Sequence, residues 1–138
     1  MKSDATWRGR CQCNDIELEF VGTPDGASLC HCQSCRDASG APLLAWCTFP
    51  RKGMRMVSGQ LTTYRSSPQV ERGFCGHCGT TLTYAHDDLP DEIDVTTCAL
   101  DEAARIAPIQ HIWIADKLAW VSINDDLPQY DGWSQRNK

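Results

Sequence analysis

Seven cysteines of this 138-residue chain fall into three tight groups, Cys11/Cys13, Cys30/Cys32/Cys35 and Cys75/Cys78, while Cys47 and Cys98 stand apart. Closely spaced thiols can be disulfides, redox centres or metal ligands. A zinc site closed by protein takes four ligands, whereas a catalytic one takes three and keeps a position open. Seven thiols divide into one site of each kind. Disulfides fit the sequence less well. Nine cysteines is an odd number, the chain opens Met-Lys-Ser-Asp without an apolar leader, and no run of about twenty apolar residues follows. The expectation is a cytoplasmic protein with reduced thiols and no membrane association.

Within the first group one residue separates the thiols, so on an extended strand both sulfurs project to the same side. They make half a site. Phe74-Cys75-Gly76-His77-Cys78-Gly79 supplies another half, with Gly79 permitting the tight turn of a zinc knuckle. Cys30 and Cys32 repeat the same-side spacing, and Cys35, three residues on, completes a tripod with one position open. A soft thiol is the chemically matched external ligand, because coordination holds it as thiolate near neutral pH. Other partitions fit the spacing too. Cys11 and Cys13 can pair with Cys32 and Cys35, and His31 or His77 can close the tripod. His31 projects away from Cys30 and Cys32 on an extended chain, and His77 is expected at the surface.

The elements that must carry these residues read as strands. Ile16, Leu18 and Phe20 alternate with Glu17 and Glu19, the period-two pattern of a half-buried sheet. Segments 43–49, 55–58, 61–65, 70–75, 80–85, 92–99 and 110–114 read similarly, separated by Gly, Pro, Ser and Asp. Helical turns are expected only at 33–38 and 101–104. The result is a mainly β domain of short antiparallel strands, with one core at about 8–120 in a single domain spanning 1–138 and a frayed tail over 135–138. Trp46, Trp113 and Trp120 are expected in the core, with Trp7 and Trp133 packed over sheet edges. Cys47 and Cys98 are expected to behave as small buried hydrophobes. The net charge of -5 and the lack of any Lys/Arg tract argue against nucleic acid as a partner.

The C-x-C, C-x-C-x-x-C and C-x-x-C-G series in this order, with CRDASGAP, RSSPQVERGFCGHCGT, EIDVTT and a later HIW, resembles the glutathione-dependent formaldehyde-activating family, also described as the centromere-protein-V/Gfa domain. The similarity runs from Arg8 to about Trp120. Asn14 stands where a glycine commonly follows the first C-x-C. The resemblance implies a β-tent fold, its sheets joined around a structural zinc held by Cys11, Cys13, Cys75 and Cys78. It also implies a catalytic zinc held by Cys30, Cys32 and Cys35. The activity it implies is carbon–sulfur lyase chemistry between glutathione and formaldehyde, with S-hydroxymethylglutathione as the adduct.

Arg36, Arg65 and Arg72 flank the site motifs and are candidates to bind the carboxylates of glutathione. Asp94 within EIDVTT either orients a site group or is an ordinary strand carboxylate. Two other classes of function fit the same residues. One is a binding module whose two metals are both structural, and the other is a thiol-redox enzyme using Cys30, Cys32 or Cys35 as nucleophile.

Overall fold

The computed structural model describes residues 5–134. Strands β1 (Thr6–Arg10), β2 (Glu17–Val21) and β5 (Met54–Ser58) form a small antiparallel sheet in the order β1-β2-β5. The other strands are β3 (Asp25–Cys30), β4 (Leu44–Pro50), β6 (Thr62–Ser67), β7 (Val70–Phe74), β8 (Thr81–His86), β9 (Glu92–Thr96) and β10 (Gln110–Ile112). They form a seven-stranded sheet in the order β10-β3-β4-β9-β8-β7-β6. Helix α1 (Gln33–Ser39) leads from β3 towards β4. The expected mainly β architecture is present. One pair departs from the antiparallel expectation: β10 runs parallel to β3, after a long connection through two 3₁₀ turns at 97–99 and 103–105. Parallel neighbours need such a crossover, whereas a short hairpin would reverse the chain.

Alternation along β2 and β4 decides which faces meet. Leu18 and Phe20 are fully buried, while Glu17 and Glu19 pair with Arg8 and Arg55 on the outer face of the small sheet. Cys47 and Phe49 of β4, with Ile93 and Val95 of β9, join Leu18 and Phe20 in the main core. The Phe20 and Phe49 rings stack at 4.8 Å, and Trp7 lies 6.5 Å from Phe49. The opposite side chains of the same strands, Trp46, Thr48 and Asp94, face a different environment. Thr48 lies opposite Asp94, Asp94 opposite Tyr84, and Tyr84 opposite Arg72. A transverse row of four polar or aromatic residues therefore crosses four adjacent strands.

Several local expectations change. The sequences of β1 and β3 show no clear apolar alternation, since β1 is rich in Arg and Gly and β3 begins Asp-Gly; each is fixed by pairing with a neighbour. Trp120 is 72 % exposed and leaves the core list, because it lies in a loop after the 3₁₀ turn at 114–116. Cys47 is fully buried as expected, and burial pushes its thiol up to about 11. Cys98 is exposed instead, because the 3₁₀ turn at 97–99 ends the period-two alternation of β9. The expected helical turn at 101–104 appears as a 3₁₀ turn at 103–105. Gln135 to Lys138, expected as a frayed tail, lie outside the described residues.

Residues 128–132 hydrogen-bond along β10 through His111, Trp113 and Ile114. This strap brings Trp133 against Tyr84 and Trp113, at ring distances of 6.4 and 5.6 Å. The core assignment gives a direct contrast in stability. Phe49→Ala is expected to cost about 3–5 kcal/mol in chemical denaturation, whereas Trp120→Ala should change stability by no more than about 0.5 kcal/mol.

Candidate metal centres

Cys11 and Cys13 sit in the connection between β1 and β2, in a tight turn rather than on an extended strand. The Asn14 N–H donates to the Cys11 carbonyl at 3.1 Å, and Asn14 itself has φ +68°. Asparagine tolerates the left-handed region better than most side chains, which explains how it serves where a glycine is common. The turn keeps the two sulfurs 3.5 Å apart. Cys75 and Cys78 lie between β7 and β8, where Gly79 (φ +83°) donates its N–H to the Cys75 carbonyl at 2.8 Å.

The four sulfurs converge within 4.8 Å of one another, with Cys13 and Cys75 3.8 Å apart. Zinc–sulfur bonds of about 2.3 Å in a tetrahedron place sulfurs about 3.8 Å apart, so this donor set fits a closed zinc site. Backbone N–H groups support it. Ile16 donates to the Cys11 sulfur at 3.2 Å, and His77 and Cys78 donate to the Cys75 sulfur at 3.4 and 3.3 Å. Hydrogen bonding by Thr80 holds the Cys78 thiol down to about 5. His77 is exposed as expected, hydrogen-bonded to Asp15. With Cys13 these two form a small rim cluster that shares its sulfur with the four-thiol group.

The triplet occupies the other face of the large sheet. Cys30 ends β3, and Cys32 is the N-cap of α1, its sulfur accepting the Cys35 N–H at 3.2 Å. Cys35 lies in the first turn of α1, with its sulfur 3.4 Å from that of Cys30. All three sulfurs lie within 4.8 Å of one another, and among the described residues no His, Asp or Glu joins them. This donor set fits an ion with three protein ligands. Without a metal, hydrogen bonds from Cys30 and Cys32 and the charge of Arg72 hold the Cys35 thiol down to about 3, while Cys30 is pushed up.

His31 turns away, fully buried, with Nε2 2.9 Å from His111 Nδ1. His111 Nε2 in turn lies 2.9 Å from the Asp125 carboxylate. This relay, buried at its two histidines and open to solvent at Asp125, is not legible in the sequence, because nothing local links positions 31, 111 and 125. The rivals considered from spacing are not what the fold assembles: Cys11 and Cys13 meet Cys75 and Cys78, and neither histidine joins the triplet.

A cavity of about 360 Å³ opens over the triplet, walled by Trp46, Tyr84, Trp113 and Trp133. That volume lies within the range of small-molecule sites, about 300–1,000 Å³. Trp113 takes φ +58°, a rare conformation for a bulky residue. Of the three arginines singled out, only Arg72 lines the cavity. It is 6 % exposed. Its Nε donates to Ser66 at 3.1 Å and its Nη2 to Ser34 at 2.9 Å, with Nη2 also 3.8 Å from the Cys35 sulfur. Arg36 instead braces the triplet loop through the carbonyls of His31 and Asp116, at 2.8 and 2.7 Å. Arg65 is exposed and paired with Asp87 at 2.8 Å. Asp94 does line the cavity, its carboxylate accepting the Thr48 hydroxyl at 2.6 Å.

The chain is a mainly β fold that gathers four thiols at one sheet junction and three beneath a cavity, two donor sets that could each hold a metal ion. The sequence profile of the glutathione-dependent formaldehyde-activating enzyme family matches residues 6–116, and the chain belongs to that family. An uncharacterized lyase of Schizosaccharomyces pombe is 36 % identical over 81 residues, which cover 58 % of each chain. The match thus spans little more than half the length of that relative. A Rhodobacter sphaeroides protein of known crystal structure superposes with a TM-score of 0.57 at 27 % identity, over 73 % of this chain and 91 % of its own. Among the described residues no helix is long and apolar enough to cross a membrane.

With zinc bound at the four thiols, Cys78→Ser would replace a good ligand by a poor one, and a strong chelator would remove the ion altogether. Both are expected to lower the melting temperature of zinc-loaded protein sharply, since structural zinc contributes about 10 kcal/mol or more in zinc-finger peptides. His77 offers a pH test. Its pKa is raised, first by the hydrogen bond to Asp15 and then by that carboxylate's charge. The stabilisation is therefore fully present below the ordinary histidine pKa and lost as pH rises through the raised value. NMR titration should show the raised value in wild type and its return towards normal in Asp15→Asn.

Proposed function

We propose that this chain is a zinc-dependent carbon–sulfur lyase acting on adducts of glutathione, or of another small thiol, with S-hydroxymethylglutathione as the representative substrate. The observation that carries this reading is the convergence of Cys30, Cys32 and Cys35 beneath a cavity, with no fourth ligand beside them among the described residues. On this reading two zinc ions bind per chain, a structural one at Cys11, Cys13, Cys75 and Cys78 and a catalytic one at the triplet. The catalytic ion supplies an open coordination position that favours the thiolate form of an incoming thiol. Family membership and the resemblance to a lyase support the reaction class. The reduced thiols this requires suit the cytoplasm.

The chain's own residues then do the positioning. Trp46, Tyr84, Trp113 and Trp133 wall the cavity and exclude water from the reacting atoms. Arg36 ties the triplet loop to the carbonyl of Asp116 and so fixes where the sulfurs point. Asp94, oriented by Thr48, presents a carboxylate to a substrate hydroxyl or ammonium group. In the lyase direction the adduct's hydroxyl loses its proton, the carbon–oxygen double bond forms, and the carbon–sulfur bond breaks with its electron pair leaving on sulfur. Addition of the thiol to formaldehyde is the same path reversed.

The test follows exchange between the adduct and glutathione plus formaldehyde by NMR, above the uncatalysed rate. Cys32→Ser is expected to lower the protein-dependent rate on the order of 100-fold or more while leaving the four-thiol zinc in place by metal analysis. No acceleration by zinc-loaded wild type would refute the reading. Two equally chelator-resistant zinc ions in that inactive protein would favour a binding module.

A further inference from the structure

Among the described residues Arg72 is the only cation lining the cavity, and its surroundings are unusual for a residue that anchors a distant carboxylate. It is nine-tenths buried, fixed by Ser66 and Ser34, and stacked over the Tyr84 ring at 5.2 Å. The strand register aims it: Arg72 lies directly opposite Tyr84, which lies opposite Asp94 on the same sheet face. Its Nη2 is 3.8 Å from the Cys35 sulfur, while Nη1 has no hydrogen-bond partner among the described residues. A buried guanidinium nitrogen without an acceptor is costly, so an acceptor is the group this place lacks. Contact with a triplet sulfur puts the guanidinium beside the reacting atoms. The carboxylates of glutathione lie several bonds away from its sulfur.

We propose that Arg72 is a catalytic residue that stabilises the oxygen of the adduct as negative charge moves between sulfur and oxygen. This rests on the lyase reading of the site. In the addition direction, the thiolate sulfur forms the bond to carbon and the carbonyl π pair moves onto oxygen. The resulting alkoxide lies beside the Arg72 guanidinium and then takes a proton from water. In the lyase direction the hydroxyl gives that proton back to water, the oxygen pair re-forms the carbonyl, and the carbon–sulfur bond breaks onto sulfur. No oxidant or further reactant is needed. The guanidinium is held by neighbours before substrate arrives, which is the condition under which a donor stabilises developing charge most effectively.

The two roles for Arg72 separate by changing the thiol. Zinc-loaded wild type, Arg72→Gln and Arg72→Lys are compared with formaldehyde and either glutathione or 2-mercaptoethanol, which has no carboxylate. For Arg72→Gln we expect kcat to fall about 10²- to 10³-fold with both thiols, with KM for each thiol and the calorimetric Kd of glutathione changed by no more than about threefold. Arg72→Lys should recover part of the kcat. Arg65→Gln, away from the cavity, is the unaffected control. A loss confined to glutathione and appearing in KM and Kd would overturn the assignment and make Arg72 a carboxylate anchor, while the lyase reading would stand.

Should Arg72→Gln unfold or lose zinc, Ser66→Ala decides the matter, because it keeps the charge and removes one of its fixed partners. A kcat lowered about tenfold equally with both thiols supports the proposal, and an unchanged kcat overturns it. Wild type inactive with both thiols would refute the reaction itself, and this role with it.

Discussion

The meeting of four sulfurs from two distant connections is the constraint on which the rest of this structure depends. Cys11 and Cys13 lie between two strands of the small sheet, and Cys75 and Cys78 lie between two strands of the large one. Cys75 lies 62 positions after Cys13 in the chain, yet their sulfurs are 3.8 Å apart. Apolar packing around Phe20 and Phe49 holds the sheets together across their faces. The four sulfurs converge at one end of that packing, where an ion held by them would tie the two sheets together. In a domain of this size such a cross-link would matter, because the core alone buries a modest fraction of the unfolded chain's surface.

With one face of the large sheet committed to the core, its other face is available for chemistry. The division is read directly from β4, where Cys47 and Phe49 enter the core while Trp46 and Thr48 enter the cavity. The same alternation on β9 sends Ile93 and Val95 inward and Asp94 towards the cavity. A charge-bearing row on one side and a hydrophobic layer on the other are thus consequences of period two. A one-residue slip in any of these strands would exchange them. The strap at 128–133 covers the cavity with Trp133, beyond the 6–116 span that matches the family.

Much of this was legible in the sequence because it depends on short-range geometry. The knuckle at Cys75–Cys78, the helical turn bearing Cys35, and the turn of His31 away from the triplet all follow from spacing over a few residues. So does the burial of Leu18 and Phe20. Other readings failed where the chain leaves regular alternation. Cys98 faces solvent because a 3₁₀ turn replaces the strand there, and Trp120 lies on a loop. Strand β1 escaped notice because Arg8, Gly9 and Arg10 show no apolar period; their place is set by register with β2.

The sequence by itself determined the donors: seven thiols in groups whose spacing suits a closed and an open site, and the apolar periods that make strands. Tertiary structure decided which groups meet. It joined the first pair to the last, left the triplet beneath a cavity, and put Arg72, rather than Arg36 or Arg65, in the cavity wall. It also built the His31–His111–Asp125 relay from residues with no sequential relation. The physical reason is one of range. Backbone geometry fixes where neighbouring side chains point, whereas proximity between distant residues exists only once strands have paired and buried their apolar faces together.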